Sequence, residues 1–231
     1  MHAVRFVLAD LFREAKLNVL SVRRWMTECA QLMHDNRDYL TQLDAAIGDA
    51  DHGANMTRGF DAVAAHIVKL ENKTPGALLL EIANTLISSV GGASGPLWGS
   101  VFRGAGRAAG SASEITLSGL GDALEAGLHE VVELGAAQPG EKTMVDALAP
   151  AVLAIRASMQ SGASLESGVI AAREAAEQGQ RDTVSMLARK GRAAYLGERS
   201  IGHQDPGATS VGLVLLALER ALSNDVRTND A

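Results

Sequence analysis

Aromatic residues are nearly missing from this sequence: four Phe, two Trp and two Tyr make up 3% of 231 residues. Hydrophobic residues nevertheless reach 47%, so packing falls to Ala, Leu, Val and Gly, small enough to let helices approach closely. A single cysteine, Cys29, excludes an internal disulfide and fits a reducing compartment. It lies on the apolar face of a predicted helix and reads as an inert buried thiol. No run of eighteen apolar residues is present, so no membrane span is expected. Arg5, Asp10, Arg13, Glu14 and Lys16 interrupt any signal-peptide core in the first twenty residues, and a cytoplasmic location is expected. Positive charge is also short, with 21 Lys and Arg against 27 Asp and Glu for a net charge of −6. Without a basic stripe, a nucleic-acid partner is not expected.

Strand-like alternation is scarce as well. What the chain has is helical spacing, and it predicts an all-α fold with a core large enough for one domain. Val22, Trp25, Met26, Cys29, Leu32 and Met33 follow one helical face, and a second helix is expected over about 38–47. Met56, Phe60, Val63, Ile67 and Leu70 stripe a third, over about 54–72. Thr74-Pro75 has the form of an N-cap followed by proline at the first helical position, opening a fourth over 75–90. A fifth, about 96–110, carries Gly99, Gly104, Gly106 and Gly110 and must pack tightly. A sixth runs over 117–135, and a seventh is capped by Thr143 and kinked at Pro150. An eighth is expected from Gly162 to about Arg189, and a last one opens at Asp205-Pro206. Residues 1–20 are mixed and are assigned to an N-terminal extension, with 21–231 forming one helical domain.

The chemistry concentrates in one stretch. Asp44, Asp49 and Asp51 place three carboxylates within eight residues, followed at once by His52 and Gly53. Asp49 and Asp51, two apart, point to one side of an extended segment, and Asp44 lies about a helical turn earlier. Such anions repel unless a cation sits among them, and Mg²⁺ suits hard oxygen ligands while keeping positions open for phosphates. Gly53 to Met56 can open a helix whose free N–H groups bind phosphate oxygens. The combination suggests a magnesium–nucleotide site. The plainer alternative is that these aspartates only form turns, with Asp51 capping the next helix.

Helix counting adds weight to this reading. Two helices separate the Asp loop from the Gly91–Pro96 loop, two more lead to Gly135–Lys142, and another two to Lys190–Gly207. In an up-and-down antiparallel bundle, loops two helices apart emerge at the same end. All four loops therefore land on one rim, and the connections at 72–75, 112–117 and 161–163 on the other. Lys190, Arg192, Arg199 and His203 fall on the first rim. Arg192 is either a solvated loop charge or a bidentate phosphate contact.

Leu43 to Gly53 resembles the magnesium–nucleotide motif of the L subunit of bacterial dihydroxyacetone kinase. The likeness continues through Ser88–Leu97, Pro139–Met144, Ala188–Ala193 and Tyr195–Ser210, and covers about residues 21–222. It implies a closed up-and-down barrel of eight antiparallel amphipathic helices with the nucleotide in loops at one end. It implies Asp44, Asp49 and Asp51 as ligands of two Mg²⁺ ions. An ADP/ATP site is implied at His52, Gly53, Ala54, Asn55, Ala93, Ser94, Gly135, Met144, Arg192, Asp205, Pro206 and Gly207. From its residue type alone, Met144 would have been placed in the core. Such subunits act with a K subunit that holds dihydroxyacetone. In the phosphotransferase-system type, the one expected here, a phosphohistidine on an M subunit rephosphorylates retained ADP. No general base is assigned, and the aspartates are metal holders. Further associations carried by the resemblance are a homodimer and contact with a transcriptional regulator. The alternatives are a subunit of an ATP-dependent kinase for another short keto-sugar, such as erythrulose, and a purely regulatory nucleotide-binding protein.

Overall fold

In the computed structural model, residues 16–70 and 74–227 are described, 224–227 as backbone only. Nine α-helices are found among the described residues: α1 Val19–Asp35, α2 Arg37–Ile47, α3 His52–Ile67, α4 Pro75–Ser89, α5 Ser94–Ala109, α6 Leu117–Gly135, α7 Val145–Gln160, α8 Leu165–Asp182 and α9 Pro206–Arg227. Two 3₁₀ stretches, Thr183–Ser185 and Arg192–Ser200, lie between α8 and α9. The only β structure among the described residues is a two-residue antiparallel pair, β1 Leu17–Asn18 with β2 Glu114–Ile115.

Local signals start the helices as the side chains dictate. Asn18 accepts from the N–H groups of Leu20 and Ser21, and Ser21 Oγ accepts from Asn18 N–H, a capping box that opens α1. Residues 17–20, assigned to the extension from sequence, therefore take part in the bundle, with Leu17 fully buried. Residues 1–15 of that extension lie outside the described residues. Thr74 caps α4 and Asp205 caps α9 as expected, the latter by accepting from Ala208 N–H at 2.7 Å.

Eight helices pack in succession: α1 on α3, α3 on α4, and so on to α9, which returns to α1. The second helix stands outside this succession and lies against α3 and α9. Small residues make the close contacts. A Cβ at Gly104 would stand 2.5 Å from Ala126 O, and one at Gly127 2.7 Å from Val101 O, so α5 and α6 touch through their backbones. Gly110 differs from that expectation, since with a φ of 56° it ends α5 and a Cβ there would meet nothing within 4 Å. Four of the scarce aromatics form one cluster: Trp98 lies 6.1 Å from Phe102, with Phe60 and Trp25 on the same rings. Pro150 sits inside α7, and the carbonyl it cannot bond, that of Asp146, faces Gly179 of α8.

The eighth helix stops at Asp182, seven residues before the expected end near Arg189. Its continuation is taken over by long-range partners: Thr183 Oγ1 receives the N–H of Asp205 at 3.0 Å, and Gly202 N–H reaches Val184 O at 2.8 Å. Periodicity could not reveal this, because the competing groups lie some twenty residues downstream.

The two rims separate as helix counting requires. One cavity gathers residues from the Asp loop, the Gly91–Pro96 loop, the Gly135–Lys142 loop and the Lys190–Gly207 loop. A second, at the opposite end, gathers Lys16, Glu114, Thr116, Met159 and Ser164 from the other connections. No helix among the described residues is long and apolar enough to cross a membrane.

Candidate functional site

The site begins where α2 hands the chain to α3. Asp44, in the last turn of α2, is buried, and its Oδ2 accepts from the N–H groups of Asp51 and His52 at 2.8 and 3.1 Å. It thus caps α3 from a neighbouring helix. Asp51 occupies the N-cap position yet makes no cap bond with its side chain, which stays turned to the cavity. A Cβ at Gly48 would lie 2.0 Å from Asp44 Oδ1, so only glycine leaves room for this carboxylate. Ala50 between the aspartates has a φ of 62°. Among the described residues the non-glycine positions with positive φ are Ala50, Ala136 and Lys142, all in the loops of this rim. Strain of that kind persists where surrounding structure holds it, and it concentrates at functional sites.

One carboxylate oxygen from each of Asp44, Asp49 and Asp51 can be chosen so that all lie within 4.8 Å of one another. Three such anions are held together only with positive charge among them. Arg192 supplies one such charge, its guanidinium 2.8 Å from Asp49 Oδ2, though both groups are partly exposed and the pair is screened. The donor set consists of hard oxygens with an open, solvent-facing side, which fits Mg²⁺. When bound there, the metal would supply charge neutralisation and a fixed point for phosphate oxygens.

Beyond the carboxylates the cavity has a volume of about 220 Å³, room for a small molecule rather than an ion alone. Asp44, Asp49, Asp51, His52, Ala93, Ser94, Gly135, Met144, Arg192, Asp205, Pro206 and Gly207 all line it. Gly53, Ala54 and Asn55 do not. Gly53 is packed against α2, where a Cβ would stand 2.1 Å from Arg37 O. Asn55 accepts from Arg58 and lies beneath the Gly91–Gly92 turn. Of the N–H groups that open α3, that of His52 is engaged by Asp44. The helix N-termini left facing the cavity are those of α5, at Ala93 and Ser94, and α9, at Pro206 and Gly207.

Sequence reasoning missed the dry wall. Ile47, Leu97, Trp98, Val131 and Ala137 join Met144 in lining the cavity. Met144 belongs to the hydrophobic core as well as to this wall, so both readings of it hold. Apolar lining together with a cluster of carboxylates that could hold a metal suits a ligand with a base at one end and phosphates at the other.

His52 links three helices. Its Nε2 lies 2.6 Å from Ser210 Oγ on α9, and its Nδ1 lies 3.2 Å from Ser94 Oγ on α5. Ser210 Oγ donates to Pro206 O, so Nε2 carries the proton towards Ser210 and Nδ1 accepts from Ser94. Burial lowers the His52 pKa against the opposing pull of Asp44 and Asp51, which keeps the ring neutral.

Asp205 has the opposite problem. Burial pushes its carboxyl up to about 7; Asp146 and Asp44 add to the rise, while the bond from Ala208 and the charge of Lys142 oppose it. Its ordinary value is 3.8, so the folded state holds a proton that the unfolded chain releases. The stabilising contribution is therefore complete in acid and is lost as pH rises from about 4 through about 7. Asp205→Asn keeps an acceptor for Ala208 N–H and cannot ionise. Its melting temperature relative to wild type should therefore rise between pH 5 and pH 8 in nucleotide-free protein. A difference that stays flat across that range would show that Asp205 titrates normally.

The DAK2 domain model matches residues 46–220. The ADP-binding subunit DhaL of the PEP-dependent dihydroxyacetone kinase of Escherichia coli is 44% identical over 205 residues, covering 89% of this chain and 98% of that one. The ADP-binding subunit DhaL of the PTS-dependent enzyme of Lactococcus lactis is 37% identical over 194 residues, covering 84% and 93%. Among solved structures, the dihydroxyacetone kinase of C. freundii in complex with AMP-PNP and Mg²⁺ superposes with a TM-score of 0.65 at 25% identity. The match covers 90% of this chain and 35% of that larger one. With the family model spanning most of the sequence and a subunit matched nearly end to end, this chain belongs to the DAK2-domain family, among the DhaL subunits of dihydroxyacetone kinase.

Proposed function

We infer that this chain is the ADP-binding subunit of a PEP-dependent dihydroxyacetone kinase. The observation that carries the reading is the pairing of three carboxylates within 4.8 Å with a cavity that is also lined by apolar side chains. In this reading Asp44, Asp49 and Asp51 hold two Mg²⁺ ions, and the N–H groups at the starts of α5 and α9 hold phosphate oxygens. Arg192 neutralises phosphate charge, and the wall around Trp98 and Met144 sequesters the base. No residue here needs to act as a general base, because phosphoryl transfer asks mainly for positioning and charge neutralisation. When bound, the nucleotide would supply the relay of phosphoryl groups between a phosphohistidine on a separate carrier subunit and dihydroxyacetone on a third, while the residues of this chain hold and orient it.

The succession of eight helices returning to α1 supports a closed up-and-down barrel, one nucleotide-binding domain in the cytoplasm that takes in residues 17–20 as well as the 21–231 expected from sequence. A homodimer, and contact with a transcriptional regulator, stay within this proposal. The likeness to the L-erythrulose 1-kinase of Mycolicibacterium smegmatis, 36% identical over 91% of this chain and 36% of that protein, favours one second reading. There, the same site would serve an ATP-dependent kinase for another short keto-sugar.

One experiment separates the two. Dialysed protein, mixed with the dihydroxyacetone-binding subunit and a phosphorylated carrier, should sustain turnover at nucleotide concentrations below that of the protein. Turnover that requires stoichiometric ATP, with ADP released in each cycle, would instead select the ATP-dependent reading.

A further inference from the structure

Lys142 is 1% exposed, and no ion pair of it is found among the described residues. Its backbone holds a φ of 63°, a region that a non-glycine residue occupies only where its surroundings impose it. The ammonium donates instead to two backbone carbonyls, those of Thr183 and His203. Burying an ammonium is costly, and burial lowers its pKa against the opposing pull of the Asp205 and Asp146 carboxylates, neither of which pairs with it directly. Charge-assisted bonds to carbonyls recover part of that cost.

The two acceptors are the two ends of one segment. Residues 183–203 leave α8, cross the rim and return to α9, carrying Lys190, Gly191, Arg192 and Ala193 into the cavity wall. Other bonds zip the same ends: Gly202 N–H to Val184 O at 2.8 Å, and Asp205 N–H to Thr183 Oγ1 at 3.0 Å. Arg189 N–H joins the segment to Glu141 O in the turn beside Lys142. Away from these ends its apolar support is slight. Ala188 and Ala193 pack only with Ile47 and Leu196, in a cluster separate from the main core. So little buried apolar area cannot hold the segment shut by itself.

We propose that Lys142 is a positioning residue of the nucleotide site: by pinning both ends of the 183–203 segment to the turn before α7, it sets how long the nucleotide stays enclosed. The inference rests on the nucleotide reading of the cavity. Lys142 acts through Thr183, which holds the Asp205 backbone, and through the segment that delivers Arg192.

The test compares wild type with Lys142→Met, which removes the donors and keeps an unbranched side chain. ADP release, followed by displacement of a fluorescent ADP analogue in Mg²⁺, should be about tenfold or more faster in the variant. In the complete phosphotransfer assay, the ADP concentration for half-maximal rate should rise by a similar factor. The rate at saturating ADP should stay within about twofold of wild type. Hydrogen exchange should quicken in 186–204 while α4 and α5 keep their protection. Unchanged ADP release, or exchange quickened uniformly across the helices, would overturn the proposal. If Lys142→Met does not fold, Thr183→Val serves. It removes the hydroxyl that receives Asp205 N–H and leaves the carbonyl in place. It too should speed release, and wild-type release from it would overturn the proposal. A wild-type protein that binds no ADP would defeat the reading of the cavity, and the exchange comparison would then decide the pinning alone.

Discussion

Asp49→Ala should lose phosphotransfer by about three orders of magnitude while its nucleotide-free melting curve stays where it was. A metal holding transferring phosphate supplies several kcal/mol of charge stabilisation, and about 4 kcal/mol corresponds to a thousandfold in rate. Asp49 contributes little else. Its ion pair with Arg192 is largely exposed, a class worth about 0–1 kcal/mol to stability. Asp51→Ala should behave alike, because its carboxylate makes no cap bond. Asp44→Ala should lose the same activity and also about 1–2 kcal/mol of stability, since its Oδ2 caps α3 through two N–H groups. Transfer assays with chemical denaturation on the three variants read both quantities. Near-wild-type transfer by Asp49→Ala or Asp51→Ala would sink the metal assignment. Equal stability of all three variants would sink the capping role of Asp44.

The second large effect is expected from Gly53→Ala, a single added methyl group with no charge. The new Cβ would stand 2.1 Å from Arg37 O, 2.4 Å from Thr41 Oγ1 and 2.9 Å from Thr41 N, so backbone rather than a flexible side-chain end must give way. Overpacking of this kind costs about 1–3 kcal/mol. The displacement pushes α3 off α2, and the bonds from Asp44 to Asp51 and His52 span that same junction. Nucleotide binding in Mg²⁺ should therefore fall at least tenfold along with stability. Gly59→Ala is the comparison, because its nearest obstacle is Val90 Cγ2, a side-chain atom rather than backbone, and Gly59 lies about two helical turns along α3 from Asp51. It should lose stability and keep binding. Calorimetric titration of ADP and Mg²⁺ into both variants decides the point, and equal affinities would remove the α2–α3 junction from the argument.

Much of this site could be read from the sequence because its chemistry is local. Asp44, Asp49 and Asp51 fall within one helix end and one turn, and the caps at Thr74 and Asp205 act within three residues of themselves. Helix counting could place four loops on one rim because it needs only the number of helices between them. What stayed hidden depends on partners far along the chain. At the start of α3 the N–H groups of Asp51 and His52 are taken by Asp44, which reaches them from another helix. Lys142 carries no sequence mark of burial, and its two carbonyl partners lie 41 and 61 residues away. Trp98 and Val131 look like ordinary core residues of α5 and α6, and only the meeting of those helices at the rim makes them a cavity wall. The resemblance implies Gly53, Ala54 and Asn55 as well, and these do not line the cavity, because a helix turns its successive residues to different sides.

The return of α9 to α1 also governs when the site can come into being. The helix pairs α4–α5, α5–α6 and α7–α8 are joined by neighbours in sequence and can form early with little loop-closure entropy. The seam between first and last helices is different: Trp25 Nε1 donates to Val214 O across 189 residues, and His52 meets Ser210 across 158. Contacts of such separation come late in folding. The aspartates lie on the early side of that seam and Arg192 with Asp205 on the other, so a growing chain has no complete nucleotide site until α9 has docked. Ligand capture and completion of the tertiary structure are thus one kinetic event.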